Sequence, residues 1–220
     1  MTRGLKYDIP GRDWRIDPDQ VLAQGWPGVF ADAPGGSAPS PRPRSQRLVV
    51  EIGFGRGEFL VDQAERNPDT GFIGIELSHK RCLKMARRLA RTELSNIRLL
   101  ELRAERVVSE LLTWKSVDCF WINFPDPWPK KRHALRRLLR ADFVRDLALR
   151  LRPGGVVYVA TDHPEYAGQI ATVLSGDSLL SNGYAPMPYL PEVPGRLATS
   201  FEIEWRALDR DLHYFMYVRV

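Results

Sequence analysis

The chain predicts a layered α/β fold: a mostly parallel sheet with helices on both faces. Three features of its 220 residues carry that expectation. From residue 48 onward, short β-branched runs alternate with segments of helical period. The first run empties into a glycine-rich turn, "EIGFGRGEF", that opens the following helix. A central run, "VDCFWINF", is apolar at nearly every position, as a strand covered on both faces must be.

Each element follows in order. "LVVEIG" (48–53) reads as a strand, and "GEFLVDQAERNP" (57–68) as a helix stopped by Pro68. "GFIGIE" (71–76) is a strand. "HKRCLKMARRLARTEL" (79–94) is an amphipathic helix with Cys82, Met85, Ala86, Leu89 and Ala90 on one face. "IRLLEL" (97–102) is a strand, "ERVVSELL" (105–112) a helix and "VDCFWINF" (117–124) a strand. "RRLLRADFVRDLALRL" (136–151) is a helix that ends at "RPGG", followed by the strand "GVVYVATD" (155–162) and the helix "PEYAGQIATVL" (164–174). Two further strands, "TSFEIEWRAL" (199–208) and "DLHYFMYVRV" (211–220), close the chain as an antiparallel pair across "DRD". Residues 31–47 are rich in Pro, Gly and Ser and read as a mobile linker. The expected organisation is an N-terminal arm and linker, 1–47, and one domain, 48–220. Trp14, Trp26 and Phe30 would dock the arm, and its Arg3, Lys6, Arg12 and Arg15 would either meet an anion or stay loose.

Lys and Arg number 32 against 27 acids, a net charge of +5. The excess is clustered. Lys80, Arg81, Lys84, Arg87, Arg88 and Arg91 form one block, and Lys130, Lys131, Arg132, Arg136, Arg137 and Arg140 a second, neither interrupted by an acid. Such blocks point to a polyanionic partner. Cys82 and Cys119 have no metal-ligand spacing and read as core filler; the four histidines show no HExxH pattern, so no metal is expected. No run is long and apolar enough to span a membrane, and the N-terminus lacks a signal-peptide core. The expected location is cytoplasmic, and the text fits a monomer or a homodimer alike.

In parallel sheets, ligands bind beyond the carboxyl ends of the strands, where strand order reverses. The chemistry therefore belongs among Gly53–Gly57, Glu76, Leu102–Glu105, Phe124–Asp126, Thr161 and Asp162. Gly53, Gly55 and Gly57 let backbone N–H groups approach a ligand. Glu76 ends the next strand, where a carboxylate accepts hydrogen bonds from ribose hydroxyls. A nicotinamide dinucleotide and S-adenosylmethionine both suit such a turn. Glu58, at the helix start, repels a pyrophosphate. S-adenosylmethionine carries no phosphate and a positive sulfonium that tolerates Glu51 and Glu58, so the charges favour it.

The stretch "NFPDPWPKKRH" (123–133) sets one carboxylate, Asp126, among three prolines and directly before four basic or imidazole side chains. Together with "EIGFGRGEF", "GIE", "ATD" and "TSFE", in that order, it resembles the tRNA (guanine-N7)-methyltransferases from about Trp26 to Glu202. The resemblance implies a Rossmann-like class I methyltransferase fold, with a seven-stranded sheet and a C-terminal antiparallel strand pair. It also implies S-adenosylmethionine as cofactor and a guanine of the tRNA variable loop as target. Glu51, Gly53, Gly55, Glu76 and Asp126 would bind cofactor, with Asp126 at the catalytic centre. Lys130, Asp162, Thr199 and Glu202 would hold substrate. Arg103 stands where similar proteins carry an acidic or amide side chain, with Glu105 two residues on; Ser200 and Glu204 stand where they more often carry basic ones.

Guanine N7 has a free lone pair and no proton, so its methylation needs positioning rather than a general base. Asp126 is expected to grip the base edge, and the neighbouring cations the flanking phosphates. Three other readings stay open: a methyltransferase acting on exocyclic amines of RNA or a small molecule, a catalytically impaired RNA-binding relative and a dinucleotide dehydrogenase.

Overall fold

The computed structural model describes residues 8–31 and 47–220. The elements run α1 (Pro18–Ala31), β1 (Leu48–Ile52), α2 (Glu58–Arg66), β2 (Gly71–Ile75), α3 (His79–Leu89), β3 (Ile97–Leu100), α4 (Ala104–Arg106), β4 (Val117–Asn123), α5 (Ala141–Arg150), β5 (Leu151–Thr161), α6 (Pro164–Ser175), β6 (Leu180–Asn182), α7 (Ser200–Arg206) and β7 (His213–Arg219). A π-helical turn, Val107–Leu111, continues α4, and a 3-10 turn, Lys131–Arg136, precedes α5.

Seven strands form one sheet in the order β3-β2-β1-β4-β5-β7-β6. All pairs from β3 to β5 are parallel, and β7 lies antiparallel to both β5 and β6. The order reverses between β1 and β4, which opens a crevice at their carboxyl ends. The strands are apolar throughout because each face meets its own core. Val49, Phe72, Leu99 and Cys119 face α2 and α3 on one side; Val50, Ile73, Phe120 and Ile122 face α1, α5 and α6 on the other. Cys82 and Cys119 are buried free thiols whose pKa values burial raises, so neither is a thiolate near neutral pH.

The arm docks where its aromatics predict. Trp14, Trp26 and Phe30 are buried, and Trp26 Nε1 donates to Leu111 O at 2.8 Å. Arg15 forms a parallel bridge with Leu99, which covers part of the β3 edge. Arg15 is paired to Asp13 and Arg12 lies over the Trp14 ring, so neither is loose; Arg3 and Lys6 fall outside the described residues. Of the expected linker, 31–47, only the two ends are described.

Two elements depart from the sequence reading. The antiparallel pair is present, but its members are β6 and β7; residues 200–206 form helix α7 instead of a strand. Both edges of β7 are already taken, by β5 and β6, so a further strand has no partner there. Thr199 and Glu202 supply a reciprocal capping box that starts the helix. The predicted 136–151 helix begins only at Ala141, after the 3-10 turn, and "RPGG" lies within β5 rather than before it.

Candidate active site

The crevice at the ends of β1 and β4 is a cleft of about 310 Å³. Its floor is the turn Gly53–Gly57, its wall the loop Asn123–Pro127, and its rim Asp162, Thr199, Phe201 and Trp205. The turn needs glycine for its backbone: Gly53, Gly55 and Gly57 hold left-handed φ of +75, +56 and +74.

Glu51, at the end of β1, is buried beneath this turn. Its Oε1 accepts from Asn123 Nδ2 at 3.4 Å, while Oε2 is buried with no hydrogen-bond partner among the described residues. Burial pushes its pKa up to about 8, against the opposing pull of Asn123 and the Arg196 charge. An orphaned carboxylate oxygen of this kind is completed by a cationic donor. Glu76 is clamped differently. Its two oxygens accept from the N–H groups of Gly55 at 3.1 Å and Ser78 at 2.9 Å, with Arg81 at 3.5 Å. It stands behind the glycine turn, linked to the cleft through Gly55, and keeps acceptor capacity for a diol.

Asp126 lines the cleft, is exposed, and makes no hydrogen bond or ion pair with any described residue. Its loop is stiff. Phe124 and Trp128 hold positive φ, +52 and +42, and bracket Pro125 and Pro127. Phe124 N–H donates to Ala160 O at 2.8 Å, and Arg137 Nε to Pro127 O at 2.7 Å. Trp128 braces the far side, edge-on to His133 and beneath Arg136. Two ion pairs tie the C-terminal segment to the cleft: Arg210–Asp162 at 2.7 Å and Arg56–Glu204 at 3.0 Å.

The structure thus gathers Glu51, Gly53, Gly55, Asp126, Asp162 and Thr199 at one cleft, with Glu76 one hydrogen bond behind it. Lys130 is exposed beyond the loop and outside the cleft. Glu202 is buried, ion-paired to Arg196 and engaged in the α7 cap. Arg103 and Glu105 do not line the cleft. Arg137 corrects an expectation: it is buried and bonded to Pro127, Gln169 and Glu165, so it fixes the Asp126 loop and cannot meet a phosphate. Sequence reasoning gave no role to Asn123, Arg56, Arg196 or Arg210. Asn123 could have been found as the last residue of β4; the three arginines act across distances that no local pattern encodes. Among the described residues, no three His, Cys, Asp or Glu side chains are placed to hold a metal ion, and no helix is long and apolar enough to cross a membrane.

A family model described as a putative methyltransferase matches residues 45–215. A tRNA (guanine-N(7)-)-methyltransferase of Chromobacterium violaceum is 43% identical over 148 residues, 66% of each chain. One of Leifsonia xyli subsp. xyli is 36% identical over 205 residues, 92% of this chain and 89% of that protein. The match spans only 58% to 66% of the length of that Chromobacterium protein and three other curated relatives. The same fold is seen in a 16S rRNA (adenine(1408)-N(1))-methyltransferase of Catenulisporales acidiphilia solved with cosubstrate SAM. There the TM-score is 0.59 at 18% identity, covering 93% of this chain and 92% of that one.

Proposed function

The chain belongs to the tRNA (guanine-N7)-methyltransferase family, and we propose that it transfers the methyl of S-adenosylmethionine to N7 of a guanine in the tRNA variable loop. The reading rests on one observation above the rest: an unpaired, stiffly held Asp126 shares a cleft with the glycine turn and the orphaned oxygen of Glu51. Glu51 Oε2 suits the cofactor's ammonium, Glu76 its ribose hydroxyls, and the turn its uncharged backbone approach. When bound, S-adenosylmethionine supplies an electrophilic methyl on a sulfonium whose sulfur keeps the electron pair of the broken bond.

The chain's own part is positioning. The target guanine must leave its stack to enter the cleft. Asp126 accepts from the N1–H and N2–H₂ edge and turns N7 inward; adenine lacks that donor pair and is refused. A charge-assisted contact of this kind is worth about 1.5–3 kcal/mol. No side chain needs to take a proton, because N7 carries none. Phe201 and Trp205 on α7 and the Pro125–Pro127 wall narrow the mouth and keep water out. Lys130, Arg132 and Arg136, all exposed beside the loop, hold flanking phosphates. Work on a tRNA supports a cytoplasmic location.

The test is direct. The full chain is incubated with unmodified tRNA and methyl-labelled S-adenosylmethionine, and the product is cleaved with borohydride and aniline. Scission at one variable-loop guanine is expected; label on another base or on an exocyclic amine, or none at all, overturns the reading.

A further inference from the structure

Arg196 lies in the connection between β6 and α7, and its side chain is only 7% exposed. It is packed among the rings of Tyr214, Trp121 and Phe59, with centroids 4.9, 5.7 and 5.8 Å from the guanidinium carbon. From this cage the guanidinium forks. Nη2 donates to Asn123 Oδ1 at 2.6 Å, and Nη1 ion-pairs with Glu202. Asn123 in turn donates to Glu51 Oε1. Glu202 accepts from Thr199 N–H and closes the capping box of α7. A continuous hydrogen-bonded chain therefore runs Glu51–Asn123–Arg196–Glu202–Thr199. One end is the orphaned carboxylate at the cofactor side of the cleft. The other is the first turn of the helix that carries Ser200, Phe201 and Trp205 onto its rim.

The far end is a short element that depends on its neighbours. A helix of seven residues does not persist in water by itself. Glu202 is the one buried residue of α7, while Phe201, Ile203, Glu204 and Arg206 are exposed. Trp205 packs half-buried against Ala160, Leu212 and Tyr214, and Arg56–Glu204 adds a surface ion pair; the cap and the Arg196 ion pair are the buried polar contacts of its seat. The near end has a reason to change. A cation arriving at Glu51 Oε2 favours the ionised carboxylate and strengthens the Asn123 bond. That polarises the Asn123 amide, making Oδ1 the better acceptor for Arg196.

We propose that Arg196 is a positioning residue that couples the two ligands: occupancy of the Glu51 end by cofactor seats α7 for RNA, and by linkage RNA tightens the cofactor. The inference rests on the methyl-transfer reading above and adds an order to it, cofactor before tRNA. Arg196 touches neither ligand; it acts through Asn123 and Glu202.

Calorimetry with S-adenosylhomocysteine, in the presence and absence of saturating tRNA transcript, tests this on the full chain. In the native protein tRNA lowers the cofactor Kd by about 5- to 150-fold. Arg196→Lys keeps the charge but cannot fork to two partners, and Asn123→Ala cuts the chain while leaving the α7 cap intact. In both, the tRNA effect shrinks to about twofold or less. A purely structural anchor for α7 predicts that Asn123→Ala keeps the native factor, and that result overturns the proposal. Hydrogen exchange gives a second readout should Arg196→Lys fold poorly: S-adenosylhomocysteine alone protects amides 199–206 in the native protein and not in Asn123→Ala. Unchanged exchange there in the native protein also overturns it. Native protein that binds no S-adenosylhomocysteine removes the methyl-transfer reading and the coupling together; binding without coupling removes the coupling alone.

Discussion

Two carboxylates in one cleft are held in opposite ways, and each makes its own prediction. Asp126 is exposed and unpaired on a stiff loop, so its acceptor edge is ready for a base. Asp126→Ala should lower kcat/KM by about 10- to 150-fold, the equivalent of one charge-assisted contact. Filter binding should find tRNA affinity nearly unchanged, since phosphate contacts carry it. Retention of full rate would sink the gripping role. Glu51 is buried, and the folded chain keeps a proton on it up to about pH 8 that the unfolded chain releases near its ordinary value of 4.5. It therefore costs stability as pH rises between those values. Binding an ammonium requires the ionised form. Cofactor affinity should accordingly climb with pH by up to about tenfold per unit toward pH 8 and fall again where the cofactor's own ammonium loses its proton. Glu51→Gln should bind more weakly and lack the rise toward pH 8; calorimetry across that range decides.

At the scale of elements, the basic block around the Asp126 loop divides by burial. Lys130 is exposed and Arg137 is buried with three hydrogen-bond acceptors, though they lie in one run of sequence. Lys130→Ala should leave the melting temperature alone and reduce the salt slope of tRNA binding by about one. Arg137→Ala should leave the Pro127 carbonyl unsatisfied and cost about 1–3 kcal/mol, a fall in Tm of about 2–12 °C. Comparing thermal melts with salt titrations separates the two; equal effects on both readouts would contradict the division. Helix α7 teaches the same lesson in a different form. Its polar–apolar alternation, Ser-Phe-Glu-Ile-Glu-Trp, reads as a strand, yet Phe201 and Ile203 are exposed and match no buried sheet face. The Thr-x-x-Glu cap was the local signal that pointed the other way.

Across the whole molecule, residues 8–31 of the N-terminal arm belong to the core. Trp14 packs against Arg98, whose Nε donates to Val29 O at 2.9 Å, and the backbone of 14–16 exchanges hydrogen bonds with Leu99. Trp14→Ala should cost about 3–5 kcal/mol, read by chemical denaturation. A loss below about 1 kcal/mol would mean that the arm docks loosely. The three aromatics announced this docking in the sequence, but its partner did not. Arg98 lies in the edge strand β3 and is buried because Trp14 and α1 fold over it.

The alternation of strands and helices, the crevice at their carboxyl ends, the glycine turn and the proline-braced acid were all legible in the text. Each is written in contiguous residues, through a period, a backbone freedom or a restricted loop. Tertiary structure alone decided which cations face solvent and which are buried. It turned Arg137 and Arg196 inward, left Lys130 outside, and made residues 200–206 a helix once β7 had no free edge. Charge type is a property of one residue, but burial and pairing depend on what distant segments bring beside it.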